Sequence, residues 1–149
     1  MKTVYLDTSA IVKRYIQEAG SDVVAQVYSK AWLGDLRIAY SVWNIGEVLG
    51  VLDKYYTRGW LSRGDYELAR LEFLGETMKM LKLRILRVVP VKLALIARAW
   101  ELIERHHIHQ ADALQIVSAR EVKASEFYTA DQTLCRVARE EKLDAECLP

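Results

Sequence analysis

Thr3 to Leu6 open the chain as a short apolar run with β-branched and aromatic members, the pattern of a buried strand. Asp7-Thr8-Ser9 ends it and offers N-caps for a helix to about Glu18. Gly20 stops that helix, and Ser21 can cap another to about Trp32. Leu36 to Tyr40 reads as a second strand, after which Ser41 caps a helix from Val42 to about Thr57, closed by Gly59. Ser62 opens a long helix to about Leu83. Within it Leu68, Leu71, Leu74, Met78 and Leu81 recur at steps of three and four and so share one side. Arg84 to Val89 is a third strand, punctuated by Pro90. Val91 to about Arg105 is helical, His106-His107-Ile108-His109 is a connector, and Gln110 to Ala124 is helical again. Glu126 to Thr129 forms a fourth strand, Asp131 starts a helix to about Lys142, and Ala145 to Leu148 suits a short edge strand.

Short strands alternate with helices from end to end, with no internal repeat or linker. That order predicts an α/β/α sandwich of three layers with a mainly parallel sheet of four or five strands, one domain over residues 1–149. At 52% hydrophobic and 28% charged residues the chain can build an ordinary core without staples. Its two cysteines, Cys135 and Cys147, make neither a disulfide framework nor a zinc spacing. A reducing compartment fits them, and Cys135 reads as a small core residue. The first residues run straight into a strand, with no basic segment leading into an apolar stretch, so no signal peptide is read. No apolar run approaches the ~20 residues of a membrane span, and a cytoplasmic location is expected.

A net charge of +1 is not the footprint of a protein that grips nucleic acid by phosphate contacts alone. Charge therefore disfavours a plain nucleic-acid-binding module and points to a local site. Parallel α/β sheets place ligand sites beyond the carboxyl ends of their strands. Asp7 directly follows the first strand, Asp131 lies just past the fourth, and Glu47 sits in the second turn of the helix after the second. Asp112 begins the helix that precedes the fourth strand. It is expected at the opposite edge if that helix feeds the strand directly, so polarity alone does not place it. Glu47 and Asp112 lie on helices that are apolar on most sides, with no Lys or Arg at i±3 or i±4. A carboxylate in such surroundings needs compensating charge, and a metal ion is one way to supply it.

Each acid also has a structural reading. Asp7 and Asp131 suit N-caps, Asp112 suits a first-turn acid on the helix dipole, and Glu47 suits an ion pair with a distant Arg or Lys. His106, His107 and His109 read as a loop or helix end before they read as ligands, since no further His or Cys stands at zinc spacing. Lys13, Arg14, Arg98, Arg105, Arg136 and Arg139 suit either solvated helix faces or an RNA path, with Lys13 and Arg14 the first candidates for RNA contact. Core packing accounts for most of Trp32, Trp43, Trp60 and Trp100, with Trp60 at a helix boundary. The segment from Tyr55 to Leu83 suits a partner surface as well as a core. Gly46 and Gly50 fit no dinucleotide fingerprint and read as sites of close helix packing.

Four segments together resemble the PIN-domain family, most closely the VapC toxins of prokaryotic toxin–antitoxin pairs. They are V-Y-L-D-T-S-A-I-V-K with Asp7, S-V-W-N-I-G-E-V-L-G with Glu47, H-Q-A-D-A-L-Q-I-V-S-A with Asp112, and F-Y-T-A-D-Q-T-L with Thr129 and Asp131. The resemblance covers nearly the whole chain and implies that Asp112 joins the other acids in one pocket. It implies an endoribonuclease dependent on Mg²⁺ or Mn²⁺, a homodimer, and a small antitoxin that blocks the site. In that setting Asp7 and Asp112 are the core ligands of a first metal, and Glu47 binds it directly or through water. Asp131 completes the site or serves a second metal, one or two ions remaining open. Thr8, Ser9 and Thr129 are candidates to hold the carboxylates by hydrogen bonds. The rival readings are a PIN nuclease of RNA processing or decay without an antitoxin, and a non-catalytic binding protein on the same fold.

Overall fold

A computed structural model describes residues 1–149. Five parallel strands form one sheet: β1 (Lys2–Leu6), β2 (Leu36–Ser41), β3 (Leu86–Val89), β4 (Glu126–Thr129) and β5 (Ala145–Cys147). Their order is β3-β2-β1-β4-β5. Seven helices connect them: α1 (Thr8–Tyr15), α2 (Ser21–Trp32), α3 (Val42–Thr57), α4 (Arg63–Lys82), α5 (Leu93–His106), α6 (Gln110–Glu121) and α7 (Gln132–Glu140).

The side-chain alternation of β1 and β2 divides the core. Val4, Leu6, Ile38 and Tyr40 face α1 to α4 with Phe73 and Met80, while Tyr5 and Ala39 face α5 to α7 with Phe127, Ile116 and Leu134. The two clusters hold 19 buried residues each, so both faces of the sheet are covered equally. This is the expected sandwich, and it explains why the strands read as continuous apolar runs. The chain leaves β1 toward β2 on one side and returns to β4 on the other. The strand order therefore reverses at β1 and β4, and the crevice beyond their carboxyl ends is open to side chains.

Local chemistry sets the boundaries. Ser41 caps α3 through a capping box with Asn44, Ser62 caps α4, and Asp131 caps α7. Helix α1 stops at Tyr15, short of Glu18, because the Lys13 ammonium pulls the following loop back onto itself. It donates to the Ala19 carbonyl at 2.6 Å and pairs with Glu18 at 3.3 Å. Ser21 spends its hydroxyl on that loop, so Gly20, at φ 88°, occupies the cap position of α2.

Of the row that shares one side of α4, Leu68, Leu71 and Met78 are exposed at 55%, 65% and 55% while Leu74 and Leu81 pack against the core, and the helix buries Ala69, Phe73, Thr77 and Met80. Three expectations are corrected. The four tryptophans are all surface residues, and the large aromatics of the core are Tyr5, Tyr28, Tyr40, Phe73 and Phe127. Gly46 and Gly50 face open space and no close helix contact. Cys135 is fully buried as read, but it is joined to Cys147 by a disulfide. Pairing of β5 with β4 sets Cys147 opposite Thr129 and brings the two Cα atoms to 5.7 Å.

Candidate active site

Asp7, Glu47, Asp112 and Asp131 all line one cavity of about 300 Å³ at the carboxyl edge of β1 and β4, with Thr8, Ser9 and Gln115 between them. The polarity expectation for Asp112 is corrected here. A helix that feeds a parallel strand through a short turn runs antiparallel to it, so the first turn of α6 lies over the carboxyl edge. Glu18, which the sequence pattern did not single out, also lines the cavity, and Lys13 partners it.

Asp7 is buried and receives three donors. Ser9 Oγ and the Ala10 amide donate to its Oδ1 at 2.7 and 3.0 Å, and Thr129 Oγ1 donates to its Oδ2 at 2.5 Å. Thr129 Oγ1 in turn accepts the Asp131 amide at 3.0 Å, and Ser9 Oγ accepts the Ala130 amide at 2.8 Å. These hydroxyls clamp the turn after β4 onto the turn after β1, which is how two acids far apart in sequence come to share a wall. Asp7 is thus both the N-cap of α1 and a site residue. Burial pushes its carboxyl up to about 6. The nearby Asp131 adds to the rise, and the three hydrogen bonds only partly offset it.

Glu47 is half-buried on α3, and Thr8 Oγ1 donates to its Oε1 at 2.7 Å. Asp112 is half-buried in the first turn of α6. Burial raises its pKa and the charges of Asp131 and Glu47 add to the rise, while His109 beside it works in the opposite direction. Asp131 is exposed and accepts the Leu134 amide at 3.0 Å. No ion pair of the molecule involves any of these four acids.

Lys13 and Arg14, the first candidates for RNA contact, are both engaged within the protein. Lys13 is buried on the Ala19 carbonyl, and Arg14 forks onto Glu76 at 2.8 and 2.9 Å. The other basic candidates have partners too: Arg98 on Glu121, Arg105 on Glu141, Arg136 on Glu140 and Arg139 on the Ala145 carbonyl. Sequence reasoning missed a polar group directly behind the carboxylates, formed by Tyr5, Asn44 and Gln115. The signal was present as two amides inside apolar helix stretches, one turn from Glu47 and Asp112.

Residues 4–140 match the family model of the PIN domain. The chain belongs to the PIN-domain family. Among solved structures it is similar to VapC20 of Mycobacterium tuberculosis, described as a sarcin–ricin-loop-cleaving toxin. Identity there is 18%, with a TM-score of 0.64 over 88% of this chain and 92% of that one. It is also similar to FitAcB from Neisseria gonorrhoeae, at 17% identity and a TM-score of 0.64 over 95% of each chain. A third is VapBC2 from Rickettsia felis bound to a DNA fragment of its promoter, at 15% identity and a TM-score of 0.63 over 99% of each chain. At these identities the likeness is one of fold. Comparison with curated protein sequences returns no match. No helix of this PIN domain is long and apolar enough to cross a membrane.

Proposed function

We propose that this PIN-domain chain, one nuclease domain over residues 1–149, is a metal-dependent endoribonuclease and the toxin of a VapBC-type pair. Its substrate is an RNA phosphodiester bond, and its cofactor is Mg²⁺ or Mn²⁺ held by carboxylates. One observation carries the reading: four acids line a single cavity and none has a lysine or arginine partner.

The donor set fits the cation. Carboxylate oxygens are the hard ligands that Mg²⁺ and Mn²⁺ prefer. No three His, Cys, Asp or Glu side chains stand close enough together to hold a metal ion between them, and Mg²⁺ is usually held by one or two carboxylates while keeping several waters. Asp7 and Asp112 would hold the ion, Glu47 would bind it or orient the attacking water, and Asp131 would complete the site. Ser9 and Thr129 fix both oxygens of Asp7, so its approach to the ion costs little reorganisation. When bound, the cation supplies Lewis-acid polarisation and charge neutralisation at the phosphoryl group. Val51, Tyr55 and Leu134 give the cavity an apolar wall against which a nucleotide can pack.

An antitoxin and a second copy of the chain are the partners of this reading. Support comes from exposed apolar side chains on α2, on α4 and in the turn before α4. Trp32 and Leu71 line one surface cleft, and Trp60 and Leu68 line another. This reading expects the protein in the cytoplasm, where its RNA substrate would lie. The deciding experiment is RNA cleavage with Mg²⁺ or Mn²⁺, with and without EDTA, by wild type and Asp7→Asn. Cleavage should need the cation and vanish in the variant. Equal cleavage by both proteins would defeat the assignment.

A further inference from the structure

Behind the cavity wall, the direction of every hydrogen bond can be deduced from one backbone group. The Ser41 amide, a donor that cannot be reversed, donates to Asn44 Oδ1 at 2.8 Å as half of the α3 capping box. That contact fixes the Asn44 amide, because the opposite orientation would set donor against donor. Asn44 Nδ2 must then be the group that meets Thr8 Oγ1 at 2.9 Å and Gln115 Oε1 at 3.0 Å. Thr8 Oγ1, having accepted from Asn44, has one proton left, and its other partner is Glu47 Oε1 at 2.7 Å.

The Gln115 amide is fixed by the same logic. Its Oε1 accepts from Asn44 Nδ2 and from the Tyr5 hydroxyl at 2.8 Å, and its Nε2 is left buried with no partner. Two donors on one oxygen hold it in an orientation that leaves its own donor unsatisfied, a cost that native cores seldom carry. Tyr5, Asn44 and Gln115 are all buried, so solvent does not scramble the arrangement.

We propose that Asn44 is a positioning residue for Glu47. It relays the polarity of the α3 cap through Thr8, so that the Thr8 hydroxyl donates to Glu47 and holds Oε1 while the rest of the carboxylate faces the cavity. The assignment deepens the metal-nuclease reading and rests on it for its use in catalysis. The chain of hydrogen bonds itself does not depend on a bound cation.

Asn44→Asp is the discriminating substitution. It keeps the shape and the Oδ1 acceptor that caps α3, replaces the Nδ2 donor by an acceptor and adds a negative charge, for which Asn44→Leu, of like size with neither donor nor charge, is the control. The Thr8 hydroxyl then has a rival acceptor and no longer has to face Glu47. Thr8→Val removes the same hydroxyl directly. Two readouts are taken on the full chain: the Glu47 side-chain carboxyl ¹³C resonance at pH 7 without metal, and Mn²⁺ affinity by titration. Asn44→Asp and Thr8→Val should each move the resonance and each weaken Mn²⁺ about tenfold, the usual loss for an outer hydrogen-bond partner. The double variant should be no worse than Thr8→Val, since both act through one hydroxyl. Thr8→Ser should restore both readouts. An unmoved resonance in Asn44→Asp, or additive effects in the double variant, would overturn the proposal. If Asn44→Asp fails to fold, Asn44→Leu takes its place, with the same non-additivity against Thr8→Val expected and additivity again overturning it. A wild-type protein that binds no Mn²⁺ would sink the metal reading, and the metal-free resonance would still decide the positioning role.

Discussion

Asp7 and Glu141 are both acids held by several hydrogen bonds, yet the protein drives them in opposite directions. Asp7 is surrounded by neutral donors, two hydroxyls and a backbone amide, and burial lifts it to about 6. Glu141, beyond the end of α7, also feels burial, but His106, Arg120 and Arg105 more than offset it and hold it at about 2. His106 Nε2 lies 2.6 Å from it, and Arg120 and Arg105 donate at 2.7 and 2.8 Å. Glu76 follows the second pattern. Burial works to raise it, and the Arg14 fork, Trp32 and Tyr15 bring it down. Where an acid ties elements together, this fold supplies cations. Where four acids meet, it supplies hydroxyls and amides and no lysine or arginine partner.

The sharpest way to break that comparison is to neutralise one acid of each kind. Asp7→Asn should cost cation-dependent RNA cleavage roughly 10³-fold, about 4 kcal/mol of transition-state stabilisation. Its fold should survive, since an amide oxygen still accepts from Ala10 and Ser9. Retention of wild-type cleavage would place the chemistry elsewhere.

Linkage gives the next effect. The folded carboxyl of Asp7 lies above its ordinary value of 3.8, so the native state takes up this proton first. Metal-free stability from this group is therefore greatest below pH 4 and is lost as pH rises through 6, a change on the order of 3 kcal/mol. Asp7→Asn should be more stable than wild type in EDTA at pH 7, and the gap should close below pH 4. Urea melts at pH 4, 5.5 and 7 measure it. A gap that does not change with pH would mean that Asp7 is not strained. Glu141 has the opposite sign: its stabilisation is present above pH 4.5 and is lost as pH falls toward 2. Glu141→Gln leaves two arginines and a histidine without their charge partner. It should destabilise by about 2 kcal/mol at pH 7, with RNA cleavage by the folded fraction unchanged. Lost cleavage with unchanged stability would reverse the two roles.

The sandwich was legible because strand and helix periods differ and caps mark the boundaries. Ser41 with Val42 to Thr57, and Glu126 to Thr129, were placed to the residue. The four acids were legible because Asp7 and Asp131 come at the ends of strands while Glu47 and Asp112 interrupt apolar helices. Other features depended on long-range packing that no local pattern carries. Helix α4 has two interleaved apolar rows, and only tertiary packing chooses Phe73 and Met80 over Leu71 and Met78. His106, read as connector, ends α5 inside the Glu141 cluster because α7 ends beside it. The Cys135–Cys147 bond follows from the pairing of β5 with β4, which brings Cys147 back beside α7 and which neither cysteine's neighbours in sequence announce. Asn44 and Gln115 looked like ordinary polar interruptions until the sheet set Tyr5 between them.

Asp112 gives the smallest and finest test of the contrast between the two kinds of acid. It is half-buried, raised by burial and by the charges of Asp131 and Glu47, and has no cationic side chain in an ion pair with it. If it belongs with Asp7, removing its charge relieves repulsion at no structural cost. Asp112→Asn should then melt in EDTA at or slightly above the wild-type temperature, while Mn²⁺ should stabilise wild type and not the variant. If it belongs with Glu141, the same substitution removes a tie and the melting temperature falls by several degrees. The sign of that one shift, read with and without Mn²⁺, assigns the residue to one class or the other, because a carboxylate repelled by its neighbours and one anchored by a cation respond to neutralisation in opposite directions.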